Sequence, residues 1–313
     1  MRRDPDPLIK ENEQRTTVND FANFRLNAGG IRFVGRDLSR PECVVAEADG
    51  TLWVSDDRAA VTRIDPDGRQ TLIGSMRAAP NGLAMDRAGT LYVANIDDGK
   101  VYRLHRDGRE EVILDRFEGR PLGSVNFPYI DANDRLWITV STVTTPRIQA
   151  VQSPIPDGYI LRMDPGGPVK VVDGLCFTNE MRIRADGRML YVVESMLGCV
   201  SCRPILAGGA LGPRGVHGPA PVFEGAVLDG IALDEQGNVW ATEVRRNAIV
   251  VITPEGRAHT VFEDPKGETL VFPTSIAFGG ADRRTAYVGS LKLNRLASFR
   301  SPVAGAPMAH WKG

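Results

Sequence analysis

One hairpin pattern, repeated six times, restricts what this chain can become more than any other feature of it. In its clearest form it reads Leu228-Asp229-Gly230-Ile231-Ala232-Leu233-Asp234-Glu235-Gln236-Gly237-Asn238-Val239-Trp240-Ala241-Thr242-Glu243. A polar residue opens it, a short alternating strand follows, and an acidic, glycine-bearing turn leads into a second strand built on a large aromatic. Glu42 leads to Trp53, Asn81 to Tyr92, Asn126 to Trp137 and Asp229 to Trp240, each at a spacing of 11. Asn179 leads to Tyr191 at 12 and Thr274 to Tyr287 at 13. Successive opening residues lie 39, 45, 53, 50 and 45 residues apart. A period of 40 to 50 residues with several strands per unit is the signature of a β-propeller.

Most units carry a second hairpin. It runs over residues 60–72 in the first unit, 100–109 in the second and 248–257 in the fifth. Each unit therefore has four strands, named A to D here in chain order. The expectation is an all-β, six-bladed propeller of four-stranded blades around a central channel. The sixth unit runs out of chain after its third strand, near Phe299. The N-terminal run Phe24 to Val34 is expected to supply the fourth, because an open ring would leave an unpaired edge. Residues 1–22 are polar and read as a flexible tail; residues 23–313 read as one propeller domain. The chain of 313 residues is long for one domain, but a propeller is a single closed unit.

Hydrophobic content of 42 %, charged content of 25 % and a formal net charge of −1 are those of an ordinary globular protein. No basic stripe points to nucleic acid, and no apolar run reaches membrane-spanning length. Met1 to Asp20 lacks the apolar core of a secretion signal, so a cytoplasmic location is expected. Cys199 and Cys202 form a CxxC, but residues three apart in a strand point to opposite faces. They read as buried thiols, as do Cys43 and Cys176.

Topology turns the repeat into a site. Strand A is innermost in each blade, and its opening residue stands at one end of the channel. The A–B turn is at the far end, so strand B returns to the opening residue's face. That face collects six anchors, Glu42, Asn81, Asn126, Asn179, Asp229 and Thr274. It also collects six strand-B ends, Asp56, Asn95, Ser141, Glu194, Glu243 and Ser290. A long B–C loop in the third blade, Thr142 to Asp157, lies on the same face and is placed to act as a lid. The anchors are all oxygen-bearing, with two carboxylates and no Cys or His. Such a set suits Ca²⁺ first and Mg²⁺ or Mn²⁺ next. The plain alternative is that polar strand-starts only solvate a water-filled mouth. Against it, two carboxylates crowded on one axis repel one another without a cation.

With these residues assembled, the chain resembles the regucalcin/gluconolactonase family of six-bladed propellers over about residues 38 to 300. The resemblance rests on Pro41-Glu42, Pro80-Asn81-Gly82-Leu83, Asn126 with Asp131 and Trp137, Asn179 with Ala185-Asp186-Gly187, and Asp229-Gly230 with Gly237-Asn238-Val239-Trp240. It implies that Glu42, Asn179 and Asp229 bind a divalent metal, with Asn126 beside them as a ligand or a substrate contact. It also implies hydrolysis, most often of a lactone. Three positions depart from the family pattern. Thr178-Asn179-Glu180 replaces Pro-Asn-Gly, Asn126-Phe127-Pro128 replaces Asn-Asp, and Ser124-Val125 stands where sugar lactonases carry an arginine. Gluconolactone itself is therefore not the expected substrate.

The expected reaction is opening of a lactone by water, with the metal polarising the carbonyl. A carboxylate would activate the water; Asp229 is the first candidate, with Glu180 and Glu243 behind it. Asn81, Asn126, Phe127 and Arg147 are the expected contacts to a small-molecule substrate. Two other readings stay open: a non-hydrolytic enzyme of the strictosidine-synthase type, and a non-enzymatic calcium-binding or interaction propeller.

Overall fold

Six four-stranded antiparallel sheets stand around one axis in the computed structural model, which describes residue 21 and residues 23–311. Blade one is Val44–Ala46, Leu52–Ser55, Val61–Ile64 and Gln70–Ile73. Blade two is Pro80–Met85, Leu91–Asn95, Lys100–Leu104 and Glu110–Leu114. Blade three is Val125–Ile130, Leu136–Val140, Gly158–Asp164 and Gly167–Leu175. Blade four is Thr178–Ile183, Met189–Glu194, Cys199–Pro204 and Gly215–His217. Blade five is Leu228–Leu233, Val239–Glu243, Ala248–Ile252 and Ala258–Glu263. Blade six is Pro273–Gly279, Thr285–Ser290 and Leu296–Arg300, completed by Arg32–Val34 from the N-terminal side. Arg32 pairs with Ser298 and Val34 with Leu296, so the ring closes as expected. Strands A touch one another around the whole ring, with Pro273–Gly279 returning to Val44–Ala46.

The repeat has a physical cause. In four blades the acid that opens the A–B turn accepts a hydrogen bond from the aromatic six residues later. Trp53 donates to Glu47 at 2.7 Å, Trp137 to Asp131 at 3.0 Å, Trp240 to Asp234 at 2.9 Å and Tyr92 to Asp86 at 3.3 Å. All three of these tryptophans are fully buried between sheets. A buried indole N–H needs an acceptor, and the turn supplies it. Acid, glycine turn and aromatic are thus one unit, which is why they recur together.

The Gly/Pro-rich stretch 207–221 contains the fourth strand of blade four, Gly215–His217. Three residues are too few to show a period against that composition. Phe21, within the expected tail, is buried, with its ring edge-on to Trp240 at 5.3 Å. The rest of the expected tail lies outside the described residues. The 142–157 loop, in which no helix was expected, carries one turn and a half of helix at Ile148–Gln152. All four cysteines are free; Cys43, Cys176 and Cys199 are buried and Cys202 is partly exposed.

Candidate functional site

The six anchors stand at the strand-A starts, at one end of the channel. In five blades the A–B register breaks at the anchor: between Pro80 and Leu83, Val125 and Phe127, Thr178 and Met181, Leu228 and Ile231, and Pro273 and Ile276. A bulge unpairs the backbone there and re-aims side chains. The N–H freed by the bulge needs an acceptor. In the tryptophan blades a strand-B hydroxyl provides it. Phe127 N–H donates to Thr139 Oγ1 at 3.1 Å and Gly230 N–H to Thr242 Oγ1 at 2.8 Å, and in blade one Cys43 N–H donates to Ser55 Oγ at 2.9 Å. Each hydroxyl sits two residues after its tryptophan. This Trp-x-Ser/Thr signal was present in the sequence and was not read.

Hydrogen bonding sorts the six anchors into four and two. Glu42 Oε2, Asn126 Oδ1, Asn179 Oδ1 and Asp229 Oδ1 are buried and have no partner. The other two are engaged. The Thr274 hydroxyl donates to the Glu42 carbonyl at 2.7 Å. Asn81 accepts from Arg40 at 2.6 Å and donates to the Asn126 carbonyl at 3.1 Å. Asn81, an expected substrate contact, thus braces Asn126 and Arg40. Asn179 is oriented the same way from behind: its Nδ2 donates to the buried Ser195 Oγ at 3.2 Å, which leaves its Oδ1 for the axis.

Beneath the anchors lies a third carboxylate. Glu180 is buried, paired with Arg182 at 2.8 Å, and accepts the Ile231 N–H of the next blade at 3.2 Å. Adjacent residues in a regular strand face opposite sides; the bulge between Thr178 and Met181 lets Asn179 and Glu180 serve the same axis. Gly230 makes room, since a Cβ there would lie 3.0 Å from Glu180 Oε1 and 2.5 Å from Ser275 Cα.

Charge and burial act together on these acids. Burial pushes Glu42 up to about 7, opposed by Arg40 and reinforced by Glu180. Burial also pushes Glu180 up to about 7, with Arg182 opposing. Asp229 rises well above the usual carboxylate range through burial, then through Glu42 and Glu180. Of the three, only Asp229 keeps partial exposure; Glu42 and Glu180 are buried.

The strand-B ends do other work. Asp56 binds Arg58 and Thr62, Glu194 binds Arg214 and the Cys176 N–H, and Ser290 caps its own turn. Glu243, a candidate base, is already engaged: its carboxylate accepts from the Val227, Arg245 and Arg246 N–H groups and builds the B–C turn of blade five. Phe127, an expected substrate contact, is buried one level below Asn126. Arg182 lies 4.8 Å over its ring, and it lines the lower half of the channel.

The 142–157 loop is held at both ends. Asp157 Oδ2 accepts from Thr142 Oγ1, the Val143 and Thr144 N–H groups and Thr144 Oγ1, closing the neck. Arg147 reaches across to blade two, donating to the Ile96 carbonyl at 3.1 Å and to Asp97 at 2.9 Å. Its guanidinium is also among the charges that favour ionised Glu42, which places it by the mouth.

Two carboxylates and two amides, each with an unpartnered buried oxygen, fit a hard divalent cation. No three His, Cys, Asp or Glu side chains gather as metal ligands among the described residues. The fold and this axial arrangement define a six-bladed propeller with an oxygen-donor site at one mouth. The chain belongs to the family described as SMP-30/gluconolactonase/LRE-like, whose model matches residues 40–292. It is similar to a 6-deoxy-6-sulfogluconolactonase of Pseudomonas putida, 26 % identical over 155 residues, a match that spans 49 % of this chain and only 52 % of that protein. In structure it is similar to a candidate gluconolactonase, with a TM-score of 0.74 and 21 % identity over 92 % of this chain and 98 % of the other. It is also similar to a calcium-binding regucalcin of Agrobacterium tumefaciens, with a TM-score of 0.68 and 18 % identity over 90 % and 98 % of the two chains. At such identities the structural likeness speaks for the fold.

Proposed function

We propose that the chain is a divalent-metal-dependent hydrolase that opens a lactone ring. The observation that carries this reading is the set of four unpartnered buried oxygens on Glu42, Asn126, Asn179 and Asp229. Burying polar atoms without partners is costly, and the cost disappears if a ligand completes them. These four residues would hold the cation, with Ca²⁺ the first candidate and Mn²⁺ or Mg²⁺ next. A bound cation there would supply Lewis-acid polarisation of the lactone carbonyl.

The chain's own groups do the rest. Asp229 is the one of the three carboxylates that keeps partial exposure, which places it as the base that takes a proton from water. Glu180, locked to Arg182 and the Ile231 N–H, is held beneath Asp229. Water adds to the carbonyl carbon as its proton passes to Asp229. The ring C–O bond then breaks, and the alkoxide takes that proton back from Asp229 to give the open hydroxy acid. Arg147, fixed at the mouth, is the substrate contact on the lid side. Ser124 in place of an arginine disfavours gluconolactone. The 6-deoxy-6-sulfogluconolactonase relative supports lactone chemistry and leaves the acyl part open. The test is ring opening across a lactone panel by protein stripped with chelator and reloaded with Ca²⁺, Mn²⁺ or Mg²⁺. Turnover lost on stripping and restored by one ion supports the reading; full turnover in chelator contradicts it.

A further inference from the structure

The 142–157 loop exposes apolar surface in a way no other part of the working face does. Large apolar side chains are exposed at nine positions among the described residues. Five of them, Phe33, Leu72, Val112, Val169 and Val216, lie on outermost strands, one in each of five blades. Leu206 lies in a connection on blade four. The remaining three, Val143, Ile148 and Val151, fall within nine residues of the loop, exposed by 52 %, 54 % and 38 %. Scattered single side chains need no explanation; a cluster beside a site does.

The cluster is aimed and held. Ile148 and Val151 are three apart on the short helix, and Arg147 and Val151 four apart, so all three share one side of it. Arg147 fixes that side toward blade two and the mouth through Ile96 and Asp97. Ala150, two residues on from Ile148 and so across the helix from it, is fully buried and seats the helix. The Asp157 neck removes the loop's freedom to fold the apolar side chains away. Three side chains are far too little surface for a protein partner, which needs on the order of 1,000 Å² in total. The loop has one Arg and one Asp, and the Arg is already paired, so it lacks the basic face of a membrane-binding helix. A run of several methylenes is the occupant that fits the size and the polarity.

We propose that Val143, Ile148 and Val151 bind an alkyl substituent of the lactone, so that the substrate class is a lactone bearing an aliphatic chain on its ring. The inference rests on the lactonase reading and adds the part of the substrate that the axial site does not touch. The Arg147 guanidinium marks where the polar ring ends and the chain begins.

The test measures kcat/KM for cation-loaded protein with γ-lactones carrying ring alkyl groups of one to eight carbons. In parallel, calorimetry measures binding of the matching γ-lactams, in which a ring amide resists hydrolysis. Wild type is expected to gain about two-fold per methylene in both, below the roughly four-fold of full burial. The double variant Ile148→Ser/Val151→Ser is expected to flatten both slopes, while Val112→Ser on an outer strand keeps the wild-type slope. These are surface positions, so the variants fold. A flat wild-type slope for lactams and lactones alike overturns the proposal while leaving the lactonase reading intact if short lactones turn over. Absence of turnover with a steep lactam slope overturns the lactonase reading instead. An unchanged slope in the double variant, with loss of sedimentation on anionic phospholipid vesicles or of self-association, overturns the proposal in favour of a membrane or a second copy of the chain.

Discussion

The same six strands build both ends of the channel, yet the two ends are opposites. At the strand-A starts, four side-chain oxygens are buried without partners and three acids are crowded together. At the strand-A ends, the channel is apolar, with a cavity of about 60 Å³ lined by Met85, Tyr129, Ile276, Phe278 and Met308 among others. The C-terminal segment closes this lower end. Gly305 bridges to Asp234, the Ala306 N–H donates to the Leu233 carbonyl, and His310 and Trp311 both bond the Ala46 carbonyl at 2.9 Å. The Glu180–Arg182 pair forms the floor between the two, with Arg182 facing the lower cavity. Regular pairing and satisfied backbone make the lower end a stopper. Bulges and unsatisfied oxygens set the upper end apart as the candidate site. Strain and unmet valence are concentrated where chemistry is proposed.

The contrast is broken most strongly by removing an upper-end ligand. Asp229→Ala is expected to abolish stoichiometric cation binding and to lower lactone turnover at least about a thousand-fold, with the β-sheet circular dichroism unchanged. Retained turnover in chelator would show that the upper end is not a metal site. Next in size is the lower end. At Gly305 a Cβ would overlap the Phe278 ring, so Gly305→Ala is expected to destabilise by about 3 kcal/mol in thermal melts. Cation affinity of the folded protein should stay within two-fold. A large loss of affinity would mean that the two ends are coupled.

A smaller change probes the bulge. Thr242→Val removes the acceptor of the Gly230 N–H next to Asp229 and is expected to cost about 1–2 kcal/mol of stability. Unlike Gly305→Ala, it should also weaken cation binding, because it loosens an upper-end ligand. A loss of stability alone would make the hydroxyl a fold element only.

The gentlest probe is pH. Burial raises Glu42 and Glu180 to about 7 and lifts Asp229 as well, so the cation-free folded chain holds protons that the unfolded chain releases. That contribution to stability is complete below the unfolded carboxylate range, near pH 4.5, and is lost as pH rises through about 7. A bound cation keeps the acids ionised and offsets the loss. The melting temperature of stripped protein should therefore fall from pH 5.5 to 8 while that of Ca²⁺-loaded protein stays level. A gap between the two curves that does not widen with pH would contradict this electrostatic picture.

How much of this was legible depends on scale. The blade count, ring closure and the six strand-start anchors follow from a period and a strand-start rule, both local in sequence; singling out Glu42, Asn126, Asn179 and Asp229 among them rests on the family resemblance. Which anchors keep a free oxygen is not local. Asn81 is consumed by Arg40, and Thr274 by a carbonyl 232 residues away. Glu243 ranks behind Asp229 as a candidate base from sequence because both are acidic and near the same face; the three turn N–H groups that engage its carboxylate are visible only in the fold. Phe127 was assigned to the mouth from its place beside Asn126, but the bulge sends it below. The short strand Gly215–His217 was hidden because pairing with Cys202 and Val200, rather than its own composition, makes it a strand.

The central claim is that the four unpartnered oxygens are a cation site. Calorimetric titration of Ca²⁺ into chelator-stripped protein tests it most directly, with Asn179→Ala as the comparison. The account predicts one ion bound per wild-type chain and none by the variant. Failure of Ca²⁺, Mn²⁺ and Mg²⁺ alike to bind wild type, or equal binding by both proteins, would contradict it.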